Sequence, residues 1–500
     1  MRKYLTITRL FELVIVLGIF VLAARSVGDP DFWWHLRTGQ HIVETQSIPY
    51  ADIYSHTNPG KPWIAHEWLS EVVIYGVYRS VGWLGLIVAF GACITAAFWI
   101  VFRRSDGGPY VAGVATLWGA IATIPFWGVR PQMFSLLLAS MFLYLLDRHR
   151  ESRNTAVLWW IPPLVVIWVN VHGGYALGLA IVGVAALAEL VDAVVMPHKR
   201  HESLHAARAL AVVLVACFAA ALINPNGYRM FLYPLETLSS PSQQSLIYEW
   251  ASPDFHLPRM QAFAALLIGS FVLMIVSGKR APTRDLLLLV LTGYAALRSS
   301  RHIPLFVLVA VPVVAASLKA LLEVHGWKLV SRQDWATLPT RKAVLHATLA
   351  LVLVGAGATR ALQVANSQKA FETSELPTSA VTFIKQQHPP GPIFHSYEWG
   401  GYLIWQLYPE YRVFIDGRAD LYGDAFLEEF VRTYKAENDW RNVLRKFDVN
   451  TVVLPPEAPL AVLLQEEPSW RTVFSDNQAV ICVRRDPQST APDTTALAQQ

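Results

Sequence analysis

The sequence predicts an all-α polytopic membrane protein of about eleven transmembrane helices, followed by a small C-terminal α/β domain outside the membrane. Three observations predict it. The 500 residues are 54% hydrophobic and 16% charged, with a mean hydropathy of +0.35, whereas a soluble chain carries about 25% charged residues. The apolar residues fall in repeated runs of roughly 16 to 24, long enough to cross a hydrocarbon core. Beyond Arg360 these runs stop, and short helix-like and strand-like stretches alternate.

The predicted spans lie near 9–27, 82–102, 110–128, 132–147, 156–170, 174–196, 207–223, 261–278, 283–298, 303–322 and 343–359. The first has a basic flank (Arg2, Lys3, Arg9) and no small-residue cleavage site, so it reads as a retained signal anchor. Eleven crossings from a cytoplasmic N-terminus place the C-terminal region outside. The positive-inside rule agrees. The predicted inner loops carry Arg103-Arg104, then Arg148, Arg150 and Arg153, then Lys199-Arg200, Lys279-Arg280, and finally Lys328, Arg332, Arg341 and Lys342. The outer segments are poorer in positive charge, although Arg130, Arg298 and Arg301 fall there. A net charge of +4 scattered over short loops does not point to nucleic acid. Cys93 and Cys217 lie in apolar runs and Cys482 far downstream, so no disulfide framework is visible, and all three read as small packing residues.

The expected organisation is a transmembrane domain over 1–360, with a long first outer loop over 28–81, then an extracytoplasmic α/β domain over 361–487. A disordered tail over 488–500, rich in Thr, Ala and Gln with Pro, ends the chain. The first outer loop includes a short amphipathic stretch, Leu69 to Tyr78, suited to lie in the interface. A second long outer loop covers about 224–260. The α/β domain shows helix-like stretches at Ser379–Gln387, Ala425–Ala436 and Trp440–Phe447. Its strand-like runs are Ile393–Ser396, Arg412–Asp416, Thr451–Leu454 and Ala479–Val483.

The chemistry-bearing residues gather at the outer rim. Directly after the first span comes GDPDFWWHLRTGQ, residues 28–40. Trp33 and Trp34 suit an aromatic belt at the interface. Asp29 and Asp31 either mark the helix exit or serve as an active carboxylate. If the chain is helical from Asp31, His35 falls four residues on, along the same face, where it would favour a charged imidazole and a stable carboxylate. Further along the loop, WIAHEW (residues 63–68) again joins indoles to His66 and Glu67. This is no zinc signature, because HExxH is absent. Asp29, Asp31 and Glu67 leave room for a divalent metal, but nothing else in the sequence calls for one.

Arg130-Pro131-Gln132 sits at a predicted outer turn, and Arg298 and Arg301-His302 at another. A guanidinium there suits either a phosphate or lipid head-groups. His172, in NVHGGY (residues 170–175), is an available polar group beside glycines that permit close approach. In the outer domain, YEWGGY (397–402) and IDGRADLY (415–422) offer two readings. Rings and carboxylates suit sugar contact, and Asp416 pairing with Arg418 suits a structural turn. No P-loop, dinucleotide fingerprint or GxSxG is present, which argues against ATP-driven transport by this chain alone.

This layout resembles the GT-C class of integral-membrane glycosyltransferases over about residues 1–360, and WWHLRTGQ and WIAHEWLSE look like a bacterial branch of it. The class commonly has adjacent acids where this chain has Asp29 and Asp31 separated by a proline. The resemblance implies a multi-pass protein of a bacterial inner or plasma membrane. It would move a sugar from a polyprenyl-phosphate carrier to a glycan, lipid or protein acceptor on the extracytoplasmic face, with inversion. Asp31 or Asp29 would act as general base, Asp31 favoured because His35 can orient it. His35, His66, Glu67, Arg130, His172, Arg298 and Arg301 would bind substrate, the arginines holding the lipid phosphate. The alternative is a transporter or flippase for a lipid-linked sugar or another polar lipid. Such a protein should place ionisable groups deep in paired spans and show an internal repeat, whereas this chain keeps its polar clusters at the rim.

Overall fold

A computed structural model describes residues 6–327 and 340–485. Arg2, Lys3, Lys328, Arg332 and the tail 488–500 lie outside the described residues. The chain forms two compact units. The first comprises the chain up to Asp29, Thr38–Ile48 and Ile64–Gln368; the second comprises Pro30–Arg37, Pro49–Trp63 and the chain from Lys369.

Every predicted apolar run coincides with a helix. The helices are α1 (Ile7–Ala23), α2 (Phe32–Thr45), α3 (Trp68–Arg104), α4 (Gly108–Thr123), α5 (Gln132–Ser152), α6 (Ile161–Val171) and α7 (Tyr175–Val195). There follow α8 (Arg200–Ala221), α9 (Arg229–Ser239), α10 (Pro241–Leu246), α11 (Pro258–Ser277), α12 (Thr283–Arg298), α13 (Ile303–Val324) and α14 (Thr340–Glu375). Among the described residues, seven helices are long and apolar enough to cross a membrane. The protein is thus a mostly helical, multi-pass membrane protein. Helix α3 breaks at Gly82, whose φ of 65° lies outside the helical region, separating the amphipathic stretch around Leu69–Tyr78 from the apolar run behind it.

Polar groups tie the first unit together. Val27 N–H donates to Gln368 Oε1 (2.9 Å), and Gln368 Nε2 donates to Val27 O (3.0 Å), fastening the exit of α1 to α14. At the ends of α3, α5 and α12, Asp147 pairs with Arg104 (2.7 Å) and with Arg284, while Arg150 reaches Asp285 (2.7 Å). Arg104 also donates to the Leu308 carbonyl (2.7 Å). Arginines read from the sequence as topology signals therefore also lock helix ends.

The second unit holds α15 (Thr378–Gln387), β1 (Ile393–His395), α16 (Gly400–Leu407), α17 (Ala419–Tyr422), α18 (Asp424–Tyr434) and α19 (Trp440–Lys446). It continues with β2 (Thr451–Leu454), α20 (Pro459–Glu466), β3 (Trp470–Ser475) and β4 (Val480–Arg484). The sheet order is β1-β2-β4-β3. β1 and β2 are parallel, with Phe394 opposite Val452; β4 runs antiparallel to both neighbours, with Cys482 opposite Val452. The expected strand at Arg412–Asp416 does not join this sheet. Its partner comes from the first loop: Val413 forms a single parallel bridge with Ser55, its N–H donating to Tyr54 O (3.0 Å) while its carbonyl accepts from His56 N–H (3.0 Å).

His395, fully buried on β1, gives this unit a pH dependence. Its Nδ1 donates to Ser396 O (2.8 Å), and its Nε2 accepts from Phe414 N–H (3.0 Å), so the ring is neutral with both nitrogens engaged. Burial lowers its pKa to about 4. The unfolded imidazole titrates near 6.5, so the stabilisation is complete above that pH and shrinks as the pH falls toward 4, by about 3 kcal/mol in all. Thermal melts of the full chain in detergent should show the second unit losing stability across that window, with His395→Gln flattening the dependence. An unchanged slope in the variant would contradict the assignment.

Candidate active site

The first unit contains a cavity of about 230 Å³. The ends of α3, α5, α6, α7, α9 and α13 converge there. It is lined by His66, Glu67, Arg130, His172 and Arg301, all singled out in the sequence, and by Ser135, Trp168, Tyr233, Glu249 and Trp250 among others.

Local sequence explains the convergence. Trp68 donates its indole N–H to Asn170 Oδ1 (2.8 Å), and Ser70 Oγ donates to Val171 O (2.5 Å), so the start of α3 is bolted to the end of α6. That connection brings Glu67 to His172. Helix α6 ends at Val171, and His172 turns out of it with extended backbone (φ −168°). A β-carbon at Gly174 would lie 2.6 Å from Ser135 Oγ and 2.7 Å from His172 Nδ1, so this position requires glycine. Pro304, in the first turn of α13, fixes the start of that helix and leaves Arg301 just before it.

The hydrogen bonds define the His172 tautomer. Gly174 N–H donates to His172 Nδ1 (3.0 Å), so this nitrogen carries a lone pair and Ser135 Oγ (2.6 Å) is also a donor to it. Ser135 in turn accepts from the Trp168 indole (2.6 Å). The ring proton is therefore on Nε2, which faces Glu67 Oε1 at 3.4 Å. Burial holds the His172 pKa down, to about 3, against the opposing pull of Glu67. On the other side of Glu67, His66 Nε2 also lies 3.4 Å from Oε1, its Nδ1 facing Ile64 O (3.3 Å) and its ring resting on Tyr233.

The cations differ in how they are held. Arg130 grips Glu249 with both terminal nitrogens, and its Nε lies 2.9 Å from Asp29 Oδ2. Burial raises the Glu249 pKa, but Arg130 and Arg301 outweigh it and hold the carboxyl below its ordinary range. Arg301 stacks on Trp250, 4.9 Å from the ring centroid. Among the described residues, no carboxylate lies within ion-pairing distance of it. Trp127 Nε1 is buried beside the cavity with no hydrogen-bond partner among the described residues. Arg298 does not line the cavity and donates to Gln244 at 3.4 Å.

Asp31 and His35 belong to the second unit. Asp31 Oδ1 accepts from Trp34 Nε1 (3.2 Å), and a side chain at Gly417 would collide with it, so the glycine of the IDGR turn makes room for this carboxylate. The His35 ring rests on Trp34. Trp33 and Trp34 are not a membrane belt. They are 2% and 6% exposed and pack edge-on against Tyr402 and Trp63, because this part of the loop folds as core of the second unit. The Asp416–Arg418 pair is present, with Arg418 Nε 2.7 Å from Asp416 Oδ1, and Asp52 joins it at 2.8 Å. Among the described residues no three His, Cys, Asp or Glu side chains converge as a metal site.

Glu249 and Ser135 escaped the sequence reading. Glu249 sits in YEW within the long 224–260 loop, where a carboxylate between two aromatics was the available signal; Ser135 falls in an ordinary apolar helix pattern with none.

No family model matches the chain, and no curated protein matches its sequence. Solved structures do match. The archaeal oligosaccharyltransferase of Archaeoglobus fulgidus, tethered to an acceptor peptide containing the NVT sequon, aligns at 13% identity with a TM-score of 0.54. That match covers 95% of this chain and 74% of the other. The archaeal oligosaccharyltransferase AglB of Archaeoglobus fulgidus, solved with an inhibitory peptide and a dolichol-phosphate, aligns at 11% identity and TM-score 0.51, over 97% of this chain and 74% of that one. ArnT from Cupriavidus metallidurans, bound to undecaprenyl phosphate, aligns at 14% identity and TM-score 0.49, over 95% and 98% of the two chains. The chain has the GT-C fold of the membrane oligosaccharyltransferase.

Proposed function

We propose that the protein is a membrane glycosyltransferase that moves a sugar from a polyprenyl-phosphate donor to an acceptor hydroxyl on the extracytoplasmic face. In this reading eleven helices cross the membrane, the N-terminus is cytoplasmic, and residues from about 361 lie outside. The observation that carries it is Arg301, a guanidinium lining the cavity with no carboxylate at ion-pairing distance among the described residues. A guanidinium lining a cavity is best satisfied by an anion, and its fork matches a phosphate. The dolichol-phosphate solved with the oligosaccharyltransferase of the same fold supports this choice.

The acceptor oxygen attacks the anomeric carbon, and the bond from that carbon to the phosphate oxygen breaks with its electron pair. The departing lipid phosphate gains charge, which Arg301 and the Trp127 N–H stabilise. Direct displacement inverts the anomeric centre. A carboxylate takes the acceptor proton. Asp29 and Asp31 are the candidates within the motif, and Asp29 reaches the cavity wall through its pair with Arg130.

Reconstitution with radiolabelled polyprenyl-phosphate sugars and a panel of acceptors tests the reading. Wild type should transfer label, and at least one of Asp29→Asn and Asp31→Asn should lose about tenfold or more. Transfer from no donor would end the reading, and undiminished transfer by both variants would end the role of these two aspartates.

A further inference from the structure

Three carboxylates are tied to this cavity, and they are held differently. Asp29 and Glu249 both pair with Arg130, which links them as struts that fix the guanidinium. Glu67 instead places Oε1 between two imidazole nitrogens, His66 Nε2 and His172 Nε2, each at 3.4 Å. One of these is a fixed donor. His172 Nδ1 is filled by Gly174 N–H and Ser135 O–H, so its only proton points at Glu67. The other completes the path. His66 lies between two acceptors, its Nδ1 facing Ile64 O and its Nε2 the same carboxylate oxygen, so this ring is placed to take up a second proton. A carboxylate between one fixed donor and one ring able to take up a proton is arranged to gain a proton and pass it on.

We propose that Glu67 is the catalytic base of the sugar transfer, with Ser135 and His172 as positioning residues and Asp29 as a strut for Arg130. This rests on the glycosyltransferase reading above. As the acceptor oxygen bonds to the anomeric carbon, its proton moves to the Glu67 carboxylate, and the electron pair of the broken bond stays on the lipid phosphate. Glu67 then returns to its ionised form by passing the proton to His66 Nε2, whose side chain is 13% exposed and can release it to water. Ser135 keeps His172 in the Nε2–H form, so that His172 steadies the ionised carboxylate and takes no proton itself.

The experiment compares full-length variants in proteoliposomes, following transfer from a radiolabelled polyprenyl-phosphate sugar and, separately, binding of undecaprenyl phosphate. Glu67→Gln, close in shape, should lose about a thousandfold in kcat, the scale of general-base catalysis, and bind undecaprenyl phosphate as wild type does. Asp29→Asn should lose about tenfold. Ser135→Ala should lower kcat about tenfold with the donor KM unchanged, and Ser135→Thr, which keeps the hydroxyl, should recover most of the rate. Glu67→Gln retaining more than a tenth of wild-type transfer, or Asp29→Asn falling as far as Glu67→Gln, overturns the assignment of the base while leaving the glycosyltransferase reading intact. Wild-type kcat in Ser135→Ala overturns the positioning role. Absence of transfer by the wild type overturns both readings together.

Discussion

Replacing Arg301 with alanine is expected to cut sugar transfer by about a hundredfold or more, the scale seen when one preorganised donor to a developing oxyanion is removed. The effect should fall on both kcat and donor affinity, because in the proposed transfer the same guanidinium would meet the phosphate before and during bond breaking. Lysine at this position should restore part of the affinity and less of the rate, since an ammonium supplies charge without the planar fork. Trp250 strengthens the expectation: the guanidinium stacked 4.9 Å from its ring centroid is held in place before the phosphate arrives. Steady-state kinetics with varied donor measure both parameters. An Arg301→Ala enzyme within threefold of wild type would show that the phosphate is held elsewhere.

The second large effect concerns Arg418. Its Nε and Nη2 donate to Asp416 (2.7 and 2.6 Å), Nη2 also reaches Asp52 (2.8 Å), and the guanidinium lies against the rings of Trp63 and Tyr54. Tyr422 O–H donates to Asp416 as well (2.7 Å). Burial raises the Asp416 pKa, and Arg418 overcomes this and holds the carboxyl below its ordinary range. Arg418→Met keeps the packing volume but strands two buried carboxylates, which should cost about 3–5 kcal/mol. For a unit of this size that lowers the melting temperature by about 10 °C. Tryptophan fluorescence of the full chain should report it through Trp63 and Trp399. A shift under 2 °C would mean that the carboxylates find other partners or take up protons at little cost.

These two sites differ in how far the sequence revealed them. Arg130, His172, Arg301, His66 and Glu67 were visible because polar side chains at the rim of apolar runs have few structural reasons to be there, and all five line one cavity. The helices were visible for the same reason: a hydrocarbon core leaves an unmistakable run of apolar residues. The pairing of Asp52 with Arg418 was not, since 366 residues separate them and neither segment carries a periodic pattern naming its partner. For the same reason Trp33 and Trp34 read as an interface belt, although they are core to a unit whose other half lies beyond residue 369. The strand-like run at Arg412–Asp416 shows the limit of local propensity. Within it only Val413 bridges, and it does so to Ser55 and not to the sheet. Glu249 stayed hidden because its role depends on Arg130, a residue 119 positions away.

On the proposed function, the cavity between His172 and Arg301 holds a lipid-linked phosphate. The most direct measurement is photo-crosslinking of the membrane-reconstituted protein with a polyprenyl phosphate bearing a diazirine near its phosphate, followed by peptide mapping. Adducts should form on the lining segments 126–139, 172–177 and 301–308, be displaced by excess undecaprenyl phosphate and be lost in Arg301→Ala. Competable adducts confined to other segments, or labelling that Arg301→Ala leaves unchanged, would contradict that placement of the phosphate.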